Sequence, residues 1–233
     1  MAIPANQLGI CDSRSSWSAI KAAVINYGWC AVRAPASHKV LQDLGQLGPL
    51  LPSRGGGEYQ DLIPYDKASA PPKSMSAFTG MGKQPMHTDG AFTPCPPRFV
   101  ALQCLNAGEE PCPTILSKLD LSRIVQEAPP ELRAATWLSS RGGGQTPFYC
   151  SVVETYMGNG RVRFDPLCMR QTDRTEKDVS YAHRFLSLHA EPCVIEWEDG
   201  LLLLIDNWEC LHARGEGAET AGSRKLRRWL IGG

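Results

Sequence analysis

Two stretches of this chain carry residues that could do chemistry together. One is Met86-His87-Thr88-Asp89-Gly90-Ala91-Phe92, with a His-x-Asp pair; the other is Ile205-Asp206-Asn207-Trp208-Glu209-Cys210-Leu211-His212-Ala213-Arg214, with a second histidine. In an extended chain the side chains at i and i+2 point to one face, so His87 and Asp89 can grip an ion from one side. If His212 reaches the same ion, two imidazoles and one carboxylate occupy one face of it and leave three positions open, the arrangement of catalytic non-haem iron(II). Taken alone the spacing is weak evidence, because His-x-Asp arises by chance in many chains. The ordinary alternative for His87 and His212 is a pair of hydrogen-bonded core histidines.

The remaining three histidines have no such context. His38 falls at an expected helix start, and His183 and His189 lie six residues apart on an expected helix, where their side chains diverge and cannot chelate together. Hydrolytic zinc chemistry lacks its usual signature too, since there is no His-Glu-x-x-His.

Residues 79–92 together with 206–228 resemble the taurine dioxygenase and clavaminate synthase-like family of Fe(II)/2-oxoglutarate-dependent oxygenases. The Gly-Ala-Phe run after the pair, the Asp-Asn before the distal histidine and the arginine-bearing strand after it carry the resemblance, which extends more loosely from about Trp17 to the C-terminus. The His212-Ala213-Arg214 triplet leans towards the clavaminate synthase side, although Asp89 stands where clavaminate synthase has Glu. The resemblance implies Fe(II) on His87, Asp89 and His212, with 2-oxoglutarate and dioxygen as co-substrates. It also implies oxidation of an unactivated C–H bond by hydroxylation, desaturation or cyclisation, on a small amino-acid-derived or secondary-metabolite substrate. The alternative from another class is a non-catalytic, metal-binding jelly roll that senses or stores a small anion.

Alternation along Ser223-Arg224-Lys225-Leu226-Arg227-Arg228-Trp229-Leu230-Ile231 puts Arg224, Leu226, Arg228 and Leu230 on one face. A guanidinium buried among leucines is costly unless an anion meets it, and a dicarboxylate supplies one with bidentate geometry. By resemblance Arg224 holds the far carboxylate of 2-oxoglutarate, Arg228 turns towards co-substrate or substrate, and Thr114 adds a hydroxyl. Here the chain departs from the family, because Glu109-Glu110-Pro111-Cys112-Pro113 replaces its glycine-rich approach to that threonine. Arg161 and Arg163 are candidates to meet a substrate carboxylate, with surface salt bridges as the plainer alternative.

Composition fits a small-molecule enzyme. Lys plus Arg equals Asp plus Glu at 24 each, so no basic field draws nucleic acid or a membrane surface. At 233 residues the chain reads as one domain, 1–233. No secretory signal or membrane-spanning run is recognisable, so a cytoplasmic protein is expected. Nine cysteines without Cys-x-x-Cys argue against disulfides and structural zinc. A homo-oligomer is compatible with the lean covering loops, which leave room for a neighbouring subunit at the site.

The elements that must position these residues are many short strands: 29–32, 74–78, 85–89, 99–106, 114–118, 148–156, 162–164, 193–198, 201–207 and 224–231. Asp199-Gly200 between two apolar runs signals a tight hairpin. Helices are expected at 16–27, from 37 to 48, at 119–139 broken at Pro129-Pro130, and at 175–190 with Asp173 and Glu176 in capping-box spacing. The Arg-Gly-Gly-Gly runs at 54–57 and 141–144 read as flexible connections, with a lid as the functional alternative. The expected fold is mainly β with flanking helices around a double-stranded β-helix, or jelly-roll, core, whose strand ends meet at one mouth and can join His87 to His212. Asp206-Asn207 is expected to turn the chain towards His212 through bonds to its own backbone.

Overall fold

The computed structural model describes residues 10–11, 16–33, 43–53, 55–140, 146–172, 178–220 and 222–233. Its strands are β1 (Ile10–Cys11), β2 (Trp29–Arg33), β3 (Leu50–Leu51), β4 (Gln60–Leu62), β5 (Phe99–Asn106), β6 (Thr114–Leu119), β7 (Trp137–Ser139), β8 (Phe148–Cys150), β9 (Val153–Tyr156), β10 (Asn159–Val162), β11 (Met169–Gln171), β12 (Ala190–Ile195), β13 (Leu201–Asp206), β14 (Cys210–Arg214) and β15 (Lys225–Ile231). The helices are α1 (Trp17–Tyr27), α2 (Met75–Thr79), α3 (Leu121–Glu127), α4 (Pro130–Arg133) and α5 (Val179–Leu188).

The larger sheet runs β1-β2-β13-β5-β15-β3, with β4 also on β15, and the smaller runs β12-β6-β14. They lie face to face. Inner residues Val100, Leu102, Leu203 and Ile205 of the larger sheet share one core with Leu116, Ile195 and Cys210 of the smaller. On the outer face of the larger sheet Leu202, Leu204, Phe99, Ala101 and Trp229 pack with Ile20 and Val24 of α1 and with Leu44 and Leu47. Both faces of β13 are therefore dry, which is why its sequence is an unbroken aliphatic run rather than an alternating one. A third core holds Leu119 and Leu211 of the smaller sheet against α3, α4, α5 and the small sheet β11-β7-β8.

Local signals set several boundaries. Ser16 Oγ caps α1 by accepting from Ala19 N at 3.3 Å, and Gly28 ends it at φ 78°. Residues 74–78, expected as a strand, form α2 instead: Ser74 Oγ accepts from Ala77 N at 3.2 Å, so a serine that could have stood in a strand nucleates a turn. The 119–139 stretch breaks at Pro129-Pro130 as expected but returns to strand at β7. The expected strand 148–156 is two, β8 and β9. Helix α5 starts later than expected, capped by Asp178, whose Oδ1 accepts from Ser180 N and Tyr181 N. Asp173 and Glu176, the 141–144 glycine run, Arg54, His38 and residues 37–42 of the second expected helix lie outside the described residues.

Asp199-Gly200 does make a tight turn, with Gly200 at φ 82° and Leu201 N donating to Glu198 O at 3.0 Å. It is not a hairpin, however: β12 pairs with β6 and β13 with β2 and β5, so the turn carries the chain from one sheet to the other. The next turn, 207–209, carries it back to β14 and His212. Among the described residues no helix is long and apolar enough to cross a membrane.

Candidate metal centre

His212 sits mid-strand in β14, opposite Leu116 of β6. Its other neighbour is the 84–88 segment. This segment is not the regular strand expected at 85–89; it makes a single bridge in which His87 N donates to His212 O at 3.1 Å and His212 N to His87 O at 2.9 Å. The backbone then leaves β14, because Thr88 N donates to Phe164 O at 2.7 Å and Thr88 Oγ1 accepts from Phe164 N at 3.0 Å. Gly90, at φ 71°, completes the turn against Pro97, whose Cδ lies 2.6 Å from where a Cβ would stand.

Asn207 holds Asp89 in that turn. Fully buried, it accepts from Asp89 N at 2.7 Å and donates to Asp89 O at 3.0 Å and Pro97 O at 2.9 Å. The expectation for Asp206-Asn207 is thus half right. Asp206 Oδ1 accepts from Trp208 N at 3.1 Å and shapes the turn locally, whereas the Asn207 amide reaches across to the segment that carries His87 and Asp89. A planar amide with a donor and an acceptor matches the backbone C=O and N–H of one residue.

The candidate ligand atoms of His87, Asp89 and His212 all lie within 4.8 Å of one another, and all three residues are buried. His87 Nδ1 is 3.0 Å from Pro85 O, so the neutral ring donates there and leaves its Nε2 lone pair free. Burial, reinforced by the neighbouring His212, lowers the His87 pKa to about 4, so the imidazole is neutral near pH 7, the form a metal takes. Burial alone would raise the Asp89 pKa; Arg228 and the two imidazoles outweigh it and hold the carboxyl well below the usual range. Arg228 Nη1 donates to Asp89 Oδ1 at 2.6 Å and its Nη2 to Gln60 Oε1 at 2.6 Å. Asp89 Oδ2 and His212 Nδ1 are buried without a hydrogen-bond partner, and His212 Nε2 stands 3.6 Å from Asp89 Oδ2, beyond hydrogen-bond reach. A divalent cation among these donors would satisfy that orphaned carboxylate oxygen, and two imidazoles with one carboxylate suit non-haem iron(II).

The arginine strand alternates as its sequence implies. Arg228 and Arg224 turn away from the face on which Trp229 and Ile231 pack with α1. Arg224 is 4% exposed, and among the described residues its guanidinium donates no hydrogen bond and meets no carboxylate; burial lowers its pKa. Thr114, paired in register with Arg214 and Ile195, is buried and accepts from Trp197 Nε1 at 3.0 Å. The Arg224 guanidinium lies 6.0 Å from the Trp197 ring centre, so Thr114, Trp197 and Arg224 form one group.

Three arginines do other work than the sequence suggests. Arg161 and Arg163 are not surface residues; both are buried and share Glu154, at 2.6 and 2.7 Å. Arg163 also donates to the carbonyls of Ala91, Thr93 and Pro94, anchoring the loop behind Asp89. Arg214 Nη2 donates to Gly80 O at 2.6 Å and Gly82 O at 2.7 Å, tying β14 to the segment that leads to His87. Sequence reasoning also missed Gln60 and Trp197; alternation marks Trp197, two residues beyond the inward Ile195, but nothing local marks Gln60. His183 and His189 stay apart from the centre: His183 lies against the Phe164 ring, and buried His189 is 3.6 Å from Glu127.

No family model and no curated protein matches the chain. Solved structures do. An asparagine oxygenase in complex with Fe(II), 2S,3S-3-hydroxyasparagine and succinate is 19% identical with a TM-score of 0.66, covering 94% of this chain and 82% of its own. The non-heme iron oxygenase OrfP in complex with Fe and alpha-ketoglutaric acid is 16% identical with a TM-score of 0.69, covering 93% and 79%. The PvcB protein from Pseudomonas aeruginosa is 18% identical with a TM-score of 0.68, covering 97% and 86%. The chain therefore shares its fold with the asparagine oxygenase, OrfP and PvcB.

Proposed function

We propose that this protein is an Fe(II)- and 2-oxoglutarate-dependent oxygenase of a small amino-acid or amino-acid-derived substrate. The observation that carries the reading is the convergence of His87, Asp89 and His212, two imidazoles and one carboxylate, on a single buried point. The unpaired, buried Arg224 supports it, since a guanidinium in that position calls for an anion. On this reading the two facing sheets are the double-stranded β-helix core of one domain. Among the described residues no disulfide joins two cysteines, which suits a reducing cytoplasm.

His87, Asp89 and His212 would hold the iron, and Arg224 with Thr114 would receive the distal carboxylate of 2-oxoglutarate. When bound, iron(II), 2-oxoglutarate and dioxygen supply the oxidation of an unactivated C–H bond, with release of succinate and carbon dioxide. The protein's part is to orient and to exclude water. Pro85 O fixes the His87 tautomer, Asn207 fixes the Asp89 backbone, and Arg228 keeps Asp89 ionised while standing at the same site. The substrate class follows from chemistry and from the neighbours: Arg228 and Gln60 offer a guanidinium and an amide beside the metal point, and the asparagine oxygenase and OrfP structures hold hydroxylated asparagine and arginine.

Succinate release from 2-oxoglutarate, measured with Fe(II) across a panel of L-amino acids, tests this reading. Iron-dependent release that one or a few amino acids stimulate is the expected result. Iron binding with no succinate under any condition would instead favour a non-catalytic metal protein.

A further inference from the structure

Trp197 belongs to no motif, yet it bonds Thr114 and lies next to Arg224, the two residues proposed to receive the distal carboxylate. It lies in the turn between β12 and β13, two residues beyond Ile195, whose side chain points into the core between the sheets. Its indole Nε1 reaches Thr114 Oγ1 at 3.0 Å, and its ring lies beside the Arg224 guanidinium. An indole N–H is a donor only, whereas a hydroxyl has one hydrogen to give and lone pairs to receive. Thr114 must therefore be the acceptor, and its own hydrogen is left to donate. Among the described residues that hydrogen has no acceptor, although Thr114 is buried. On the other side of the indole, the Arg224 guanidinium stands 6.0 Å from the ring centre, and among the described residues it too has no acceptor.

We propose that Trp197 is a positioning residue for the co-substrate: by donating to Thr114 it makes that hydroxyl a directed donor beside Arg224, so that a distal carboxylate is met by both. The inference rests on the proposed 2-oxoglutarate dependence. A hydroxyl free to rotate must be oriented when the carboxylate arrives; one that already accepts from Trp197 has a lone pair committed and its hydrogen left to donate. Trp197 thus acts on the selectivity for a 2-oxo acid with a second carboxylate, without touching metal or substrate.

The test compares wild type with Trp197→Phe, which keeps a ring and removes the N–H, and with Thr114→Val. Anaerobic binding to the Fe(II)-loaded protein is read for 2-oxoglutarate and for 2-oxopentanoate, which lacks the distal carboxylate. Trp197→Phe is expected to weaken 2-oxoglutarate about tenfold, the scale of one hydrogen bond. Fe(II) affinity and 2-oxopentanoate binding should not change. The double variant should be no weaker than Thr114→Val alone, because both substitutions remove one unit. Equal losses for both oxo acids, or additive losses, overturn the proposal. An independent measurement needs no variant at the tryptophan: with Zn(II) in place of iron, the Trp197 indole N–H resonance should shift on adding 2-oxoglutarate and stay with 2-oxopentanoate. A resonance that ignores 2-oxoglutarate while the ligand binds also overturns it. Wild-type protein that binds no 2-oxoglutarate overturns the proposed function itself, a failure distinct from one confined to Trp197.

Discussion

Arg214 and Arg224 are buried at the same end of the sandwich to almost the same degree, 7% and 4% exposed, and they are treated in opposite ways. Arg214 gives its guanidinium to the Gly80 and Gly82 carbonyls and to Ser76 Oγ, so it belongs to the scaffold that carries His87. Arg224 donates no hydrogen bond to any described residue and has only the Trp197 ring, its centre 6.0 Å away, although Nε is unmet in both arginines. Burial lowers both pKa values, which means that each guanidinium is held at a cost in free energy. On the proposed function, the charge met by the protein's own carbonyls builds the site, and the charge without a hydrogen-bond acceptor receives the co-substrate. The metal corner repeats the lesson: Asp89 Oδ1 has Arg228, whereas Asp89 Oδ2 has nothing.

The largest expected effect breaks the corner. His212→Ala should abolish measurable Fe(II) binding while keeping the fold, since the site loses one of three ligands and no apolar core side chain is removed; calorimetric titration with circular dichroism checks both halves. Next, the two arginines should separate cleanly. Arg224→Met should weaken 2-oxoglutarate by roughly a hundredfold or more, as loss of a buried charge partner costs about 2–5 kcal/mol, yet leave ligand-free stability unchanged or higher. Arg214→Met should do the reverse, losing stability because the Gly80 and Gly82 carbonyls are left unmet, at about 1–3 kcal/mol per buried group. Urea midpoints and 2-oxoglutarate affinities on the same samples decide; similar profiles for the two variants would erase the distinction.

Asn207→Ala sharpens the comparison at the metal corner, since it releases the Asp89 backbone without touching the ligand atoms. A fall of roughly ten- to a hundredfold in Fe(II) affinity is expected, partly recovered at high iron, and an unchanged iron dependence would show the clamp to be idle. The smallest effect lies in pH. His87 is held at about 4, below its ordinary value, so the unfolded chain takes that proton first and metal-free stability falls as pH drops from about 6.5 towards 4. Asp206, pushed up to about 7 by burial despite its 3.2 Å pair with Arg98, acts oppositely, and its contribution is lost as pH rises from the ordinary carboxylate range through 7. His87→Gln should therefore leave a curve that falls with rising pH over this window, and Asp206→Asn one that rises. Urea midpoints at a series of pH values would show both slopes.

What could be read from the sequence follows the reach of its signals. The dry aliphatic run of β13, the caps of α1 and the alternation that turns Arg224 and Arg228 inward are local periods and are visible without coordinates. His87 and His212 could be paired only through motif context, and the geometry that joins them is one bridge rather than the strand their surroundings suggest. The Asn207 clamp, the burial of Arg161 and Arg163 on Glu154, and the Gln60 contact of Arg228 were not legible. Each depends on which distant backbone or side chain a polar group meets, and the residue type alone does not say.

The central claim is that one buried site takes Fe(II) and 2-oxoglutarate together. Adding 2-oxoglutarate to the anaerobic Fe(II)-loaded protein and recording the visible spectrum tests it most directly. A weak charge-transfer band that saturates with 2-oxoglutarate, and is missing in His212→Ala, is the result expected. An Fe(II)-loaded wild-type protein that shows no band at saturating 2-oxoglutarate would contradict it.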